Sequence, residues 1–88
     1  MTFQPALVNE FLAIFEESSP KIRLFPGCLH LELWRSTEAD TAVLFTYSHW
    51  ENEEALAEYR QSALFSATWA RTKILFAAKP EAWTVENI

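Results

Sequence analysis

Residues 28–48 read Cys28-Leu29-His30-Leu31-Glu32-Leu33-Trp34-Arg35-Ser36-Thr37-Glu38-Ala39-Asp40-Thr41-Ala42-Val43-Leu44-Phe45-Thr46-Tyr47-Ser48. Successive side chains of a strand point to opposite faces. The alternation over 28–35 therefore places Leu29, Leu31 and Leu33 on one face and Cys28, His30, Glu32 and Trp34 on the other. Residues 36–41 are polar and of hairpin-loop length, and residues 42–48 are rich in β-branched and aromatic side chains. The stretch predicts an antiparallel hairpin with two unlike faces.

Upstream of the hairpin, Leu7, Val8, Phe11, Leu12, Ile14 and Phe15 recur at helical spacing after Pro5, which suits a first helical position. An amphipathic helix is expected to about Ser18. Ser19-Pro20 reads as a cap and a first-turn proline, so a second short helical piece is expected after a bend, stopped by Phe25-Pro26-Gly27. Downstream, Asn52 followed by Glu53 and Glu54 reads as a capped helix start with acids near the positive end of its dipole. Ser62 or Ser66 restarts that helix, Phe65, Trp69 and Phe76 continue its apolar stripe, and Lys79-Pro80 ends it. Residues 82–86 carry the composition of a closing strand. Only residues 1–3 remain for a strand at the front. Mixed in this order, the elements predict an α+β fold with helices on one face of an antiparallel sheet, all within a single domain over residues 1–88.

Composition narrows the chemistry. One glycine in 88 residues excludes a Gly-rich phosphate cradle. Seven Lys and Arg against twelve Asp and Glu, with the basic residues scattered, argue against a nucleic-acid partner. Cys28 is the only cysteine, so no intrachain disulfide can form, and a reducing, cytoplasmic setting is expected. The N-terminus lacks a basic leader, and the longest apolar run, residues 74–78, is far short of the ~20 residues of a membrane span. A chain this small buries only roughly 60–65% of its unfolded surface. Four Trp, two Tyr and seven Phe therefore predict an apolar patch that meets a partner subunit or a ligand.

Four segments, Phe25-Pro26-Gly27-Cys28-Leu29-His30-Leu31-Glu32-Leu33, Thr46-Tyr47-Ser48-His49-Trp50-Glu51-Asn52-Glu53-Glu54-Ala55-Leu56, the Tyr59-Arg60-Gln61-Ser62 run reaching Phe65, and Pro80-Glu81-Ala82-Trp83, together resemble the antibiotic biosynthesis monooxygenase domain. The resemblance implies a ferredoxin-like protomer that pairs into a dimeric α+β barrel. For some members it implies oxygenation of quinols or polycyclic aromatics without metal or flavin. Two departures stand out. The first strand is short or missing here, and relatives commonly carry Glu and His where this chain has Ser48 and Tyr59. The haem-degrading branch places a catalytic His where this chain has Trp69, so that route is not expected.

The reading is a cofactor-independent monooxygenase acting with O2 on a small aromatic or quinol, or else a non-catalytic dimeric module of the same fold that binds a small ligand. Oxygenation of this kind needs a base that takes a proton from a phenol or quinol, and an apolar pocket that protects the intermediates. His30 and His49 are the first candidates for the base, with His30 and Tyr59 taken as the catalytic pair. Tyr47, His49, Trp50 and Trp69 are the candidate substrate pocket, with tyrosine hydroxyls to orient the substrate and tryptophans to stack on a flat ring. Each has a plainer role. The His30–Glu32 spacing suits a structural pair at an interface, and Trp69, in step with Phe65 and Phe76, suits a core position. His30, Glu32 and His49 match no metal-ligand pattern, and no metal is expected.

Overall fold

The structure, a computed structural model, describes residues 1–38 and 42–85. A 3-10 turn at Pro5–Leu7 leads into α1 (Val8–Arg23). The strands β1 (Cys28–Arg35) and β2 (Leu44–Trp50) follow, then α2 (Glu53–Arg60) and α3 (Ala63–Lys73). This is a ferredoxin-like α+β architecture, with α1 packed on β1 and α3, and α2 on β2 and α3. The connector's residues 39–41 lie outside the described residues.

The hairpin forms antiparallel, as its alternation predicts, but with a one-residue irregularity. Leu31 pairs with Ser48, Leu33 with Thr46 and Arg35 with Leu44, while His30 pairs with His49, Glu32 with Tyr47 and Trp34 with Phe45. The next pair is Cys28 with Trp50, so Leu29 is the extra residue of a β-bulge. The bulge shifts the parity. Cys28 joins the Trp50 face instead of the His30 face, and Leu29 is left exposed rather than facing the core with Leu31. β2 also runs to Trp50, two residues beyond the predicted end.

The front of the chain is a strand reduced to bridges. Phe3 N–H donates to the Ala42 carbonyl (2.9 Å) and Leu44 N–H to that of Met1 (2.9 Å), while on the other side Gln4 N–H donates to Leu75 (3.0 Å) and Ala77 N–H to Thr2 (2.9 Å). Thr2–Val43 and Phe3–Phe76 are antiparallel bridges. Residues 1–4 thus lie between β2 and residues 75–77. That arrangement corrects the C-terminal reading. α3 stops at Lys73, and Phe76, expected in its stripe, pairs with Phe3. Residues 82–85 form no strand, and Glu86 lies outside the described residues. Strand propensity needs a partner edge, and residues 75–77 already occupy the place beside Phe3.

α1 runs unbroken through Pro20, where a bend and a second helix are expected from sequence. Proline removes the bond to the carbonyl four residues back. That carbonyl belongs to Glu16, an exposed residue whose backbone can be hydrated. Phe11, Ile14, Ser18 and Ile22 form the buried stripe, and Ser18 Oγ donates to the Ile14 carbonyl. The core joins Phe3, Phe11, Ile14, Leu44 and Leu75, with the Phe3 and Phe11 rings stacked at 4.4 Å. α2 starts as predicted, Ala55 N–H donating to Asn52 Oδ1 at 2.8 Å. Ser62, not Ser66, caps α3 by accepting from Phe65 N–H at 3.1 Å. Gly27, at φ +87°, turns the chain from α1 into β1, and a Cβ built there would meet Ala55 Cβ at 2.3 Å.

Candidate functional site

α1, the inner face of the hairpin, α2 and α3 enclose a cavity of about 190 Å³. Its walls follow from local periodicities. Alternate residues of β2, namely Thr46, Ser48 and Trp50, point into it, as do Leu56, Tyr59 and Arg60 at helical spacing on α2. α3 contributes Phe65, Thr68, Trp69 and Thr72, and α1 contributes Phe15 and Ser18.

One side is a continuous aromatic wall. Trp50 stacks on Tyr59 with centroids 4.9 Å apart at 23°, Phe65 meets Tyr59 edge-on at 5.3 Å, and Phe65 lies parallel to Trp69 at 6.1 Å. Phe25 backs both Tyr59 (5.4 Å) and Trp50 (6.2 Å). Trp50 Nε1–H donates to Ser48 Oγ at 3.0 Å, which fixes the indole plane. Burial pushes the Tyr59 hydroxyl above its ordinary pKa, and the nearby Cys28 thiol, brought to this side by the bulge, adds to the effect. Tyr59 therefore stays a neutral hydroxyl at physiological pH, able to donate or accept a hydrogen bond. Thr72 Oγ1 donates to the Thr68 carbonyl (2.8 Å). Of the described residues that line the cavity, none is His, Cys, Asp or Glu. Among the described residues generally, no three such side chains stand close enough together to hold a metal ion.

The sheet divides the candidates read from sequence into two groups. Tyr59, Trp50 and Trp69 line the cavity. His30, Tyr47 and His49 lie on the opposite face of the hairpin, with Trp34. There His30 Nε2 sits 2.8 Å from Glu32 Oε1, and Trp34 Nε1–H donates to Glu32 Oε2 at 2.8 Å. The Tyr47 ring stacks on Trp34 at 5.2 Å and 5°, and meets His30 edge-on. Hydrogen bonding from His30 first, then from Trp34, holds the Glu32 carboxyl below the usual range. His30 and Tyr59 are thus separated by the sheet. Arg60, Thr68 and Ser18 are lining residues that sequence reasoning did not single out. The i, i+3, i+4 spacing of Leu56, Tyr59 and Arg60 was the signal for the first of them.

The fold and this cavity can be set beside known proteins. A conserved protein of Methanosarcina mazei Go1 superposes with a TM-score of 0.84 at 18% identity, covering 91% of this chain and 78% of its own. A protein of Caulobacter crescentus CB15, named as a candidate antibiotic biosynthesis monooxygenase, superposes with a TM-score of 0.82 at 26% identity, covering 90% of this chain and 74% of its own. No curated protein matches the chain. The model of the antibiotic biosynthesis monooxygenase family matches residues 1–71, a span that holds the hairpin, α2 and the cavity's aromatic wall. The chain belongs to the antibiotic biosynthesis monooxygenase family.

Proposed function

We propose that the protein is a cofactor-independent monooxygenase whose substrate, a small aromatic or quinol, occupies the cavity beneath the helices. The observation that carries this reading is the Trp50–Tyr59–Phe65–Trp69 wall, which offers flat surfaces for a ring and a neutral tyrosine hydroxyl for its oxygen. Membership of the family supports the reaction class. In the proposed reaction a phenol or quinol with hydrogen on a ring carbon ortho or para to a hydroxyl loses that hydroxyl's proton and passes one electron to O2. Superoxide and the aryloxyl radical join in a new C–O bond at that ring carbon. The hydroperoxide then loses the ring proton, its O–O bond breaks, one oxygen remains as the quinone carbonyl and the other leaves as water. Tyr59 orients the substrate oxygen, and the tryptophans exclude water from the radical pair.

His30, Tyr47 and His49 take a different part in this reading. They share the outer sheet face with Trp34 and Phe45, which are 51% and 42% exposed, and there a second copy of the chain docks to form a homodimer. Among the described residues no helix is long and apolar enough to cross a membrane. The free Cys28 thiol supports a reducing, cytoplasmic setting.

Oxygen uptake by the purified chain over a panel of one- to three-ring quinols tests the proposal. One O2 is expected to be consumed per quinone formed. Uptake no faster than quinol autoxidation across the panel contradicts it. One observation favours the second reading, a dimeric ligand-binding module. Among the described residues, the lining offers no imidazole or carboxylate to take the substrate proton. Saturable ligand binding with no oxygen uptake would select it.

A further inference from the structure

We infer that Arg60 makes this cavity a receptor for flat aromatic carboxylates, with the ring against the Trp50–Tyr59 wall and the carboxylate at the mouth beside the guanidinium. The inference deepens the substrate class of the site proposed above and rests on that cavity being the substrate site.

Arg60 lies in the last turn of α2, one position past Tyr59 and four past Leu56, and all three line the cavity. Its side chain is the only Lys or Arg among the described lining residues. The chain carries twelve acidic side chains, yet among the described residues Arg60 makes no ion pair, whereas Arg71 pairs with Glu17 at 3.1 Å and Arg23 donates to the Leu31 carbonyl at 3.2 Å. Among the described residues no carboxylate lines the cavity to repel an anion. A guanidinium presents a planar fork of donors that matches the two oxygens of a carboxylate. Arg60 is exposed while the aromatic wall behind it is half-buried, so a bound carboxylate keeps part of its hydration as its ring desolvates. Small-molecule sites commonly measure ~300–1,000 Å³. At about 190 Å³ this one suits one or two fused rings.

Quenching of tryptophan fluorescence by 2-naphthoate and by its neutral isostere 2-naphthamide tests the inference on the full chain. A charge-assisted hydrogen bond at a partly hydrated site contributes roughly tenfold in affinity. Wild-type protein is therefore expected to bind naphthoate about tenfold more tightly than naphthamide, with the preference shrinking as salt is raised. Arg60→Gln should erase the preference, and Lys21→Gln, which removes an exposed charge that does not line the cavity, should preserve it. Equal affinities in wild type, a preference that survives in Arg60→Gln, or no binding of either probe would overturn the inference. The two proposals fail separately. Quinol-driven oxygen uptake without a carboxylate preference removes only the role of Arg60, and a preference without uptake removes only the oxygenase.

Discussion

The Trp50 indole lies against the Tyr59 ring at 4.9 Å, joining the end of β2 to the last turn of α2. Asn52 caps the helix that follows Trp50, so the cap sets the angle at which Tyr59 returns to the indole. The contact is both a piece of the fold and the back wall of the cavity. Its two roles separate by substitution.

Tyr59→Phe keeps the stacked ring and removes the hydroxyl. Its stability should change by less than about 1 kcal/mol, while quinol turnover should fall by about tenfold or more, in the range of a lost orienting hydrogen bond. Tyr59→Ala removes the ring and should cost about 3 kcal/mol of unfolding free energy. Urea denaturation followed by circular dichroism measures both. Equal stabilities of the two variants would contradict the packing role of Tyr59.

Gly27 carries two constraints at once, a φ of +87° and the Ala55 Cβ standing 2.3 Å from where its own Cβ would be. Gly27→Ala should lower stability by about 2–4 kcal/mol. The double variant Gly27→Ala/Ala55→Gly relieves the clash but not the backbone conformation and should recover part of the loss. Full recovery would show that the left-handed backbone contributes nothing.

Hydrogen bonding to Arg71 holds the Glu17 carboxyl below its ordinary value, with the charge attraction adding to it. A carboxyl lowered in the folded state contributes stability that is present above its unfolded pKa and lost as pH falls through its folded one. Glu32, lowered by His30 and Trp34, has the same sign. Both groups are exposed, so the effect is small and weakened by salt. The unfolding midpoint of wild type should decline more steeply below pH 4.5, the ordinary value of both carboxyls, than that of Glu17→Gln. Parallel pH profiles would contradict the pairing.

If a second copy covers Trp34, Phe45 and Tyr47, a charge on that face must be desolvated or repelled at the interface. Trp34→Glu should shift the protein from dimer to monomer in sedimentation at micromolar concentration while α-helical content is retained. A dimer that persists unchanged would place the interface elsewhere.

The hairpin was legible because alternation is a local property, and Leu31 and Leu33 do face inward. The bulge at Leu29 was not, because one extra residue leaves the composition of the strand unchanged while it transfers Cys28 to the other face. The pairing of Phe3 with Phe76 joins residues from opposite ends of the chain, which no local period reports. For the same reason Phe76 read as a continuation of α3. Ring chemistry marks Trp50, Tyr59 and Trp69 as candidates in the sequence, and the structure places all three on the cavity wall. His30 is a candidate by residue type alone, and its alternation with Leu31 puts it on the face opposite the core. Arg60 reads from sequence as solvated surface, which is what a charged helix residue ordinarily signifies.

The central claim, that a ring held between the sheet and the helices is oxygenated without a cofactor, is tested most directly with isotopically heavy dioxygen. Metal-stripped, flavin-free protein is incubated with the best quinol of the panel, and the quinone is weighed by mass spectrometry. One heavy oxygen atom in each new carbonyl, lost in Tyr59→Ala and Trp50→Ala, is the predicted result. Quinone without heavy oxygen, or labelling that is the same with and without the protein, would contradict it.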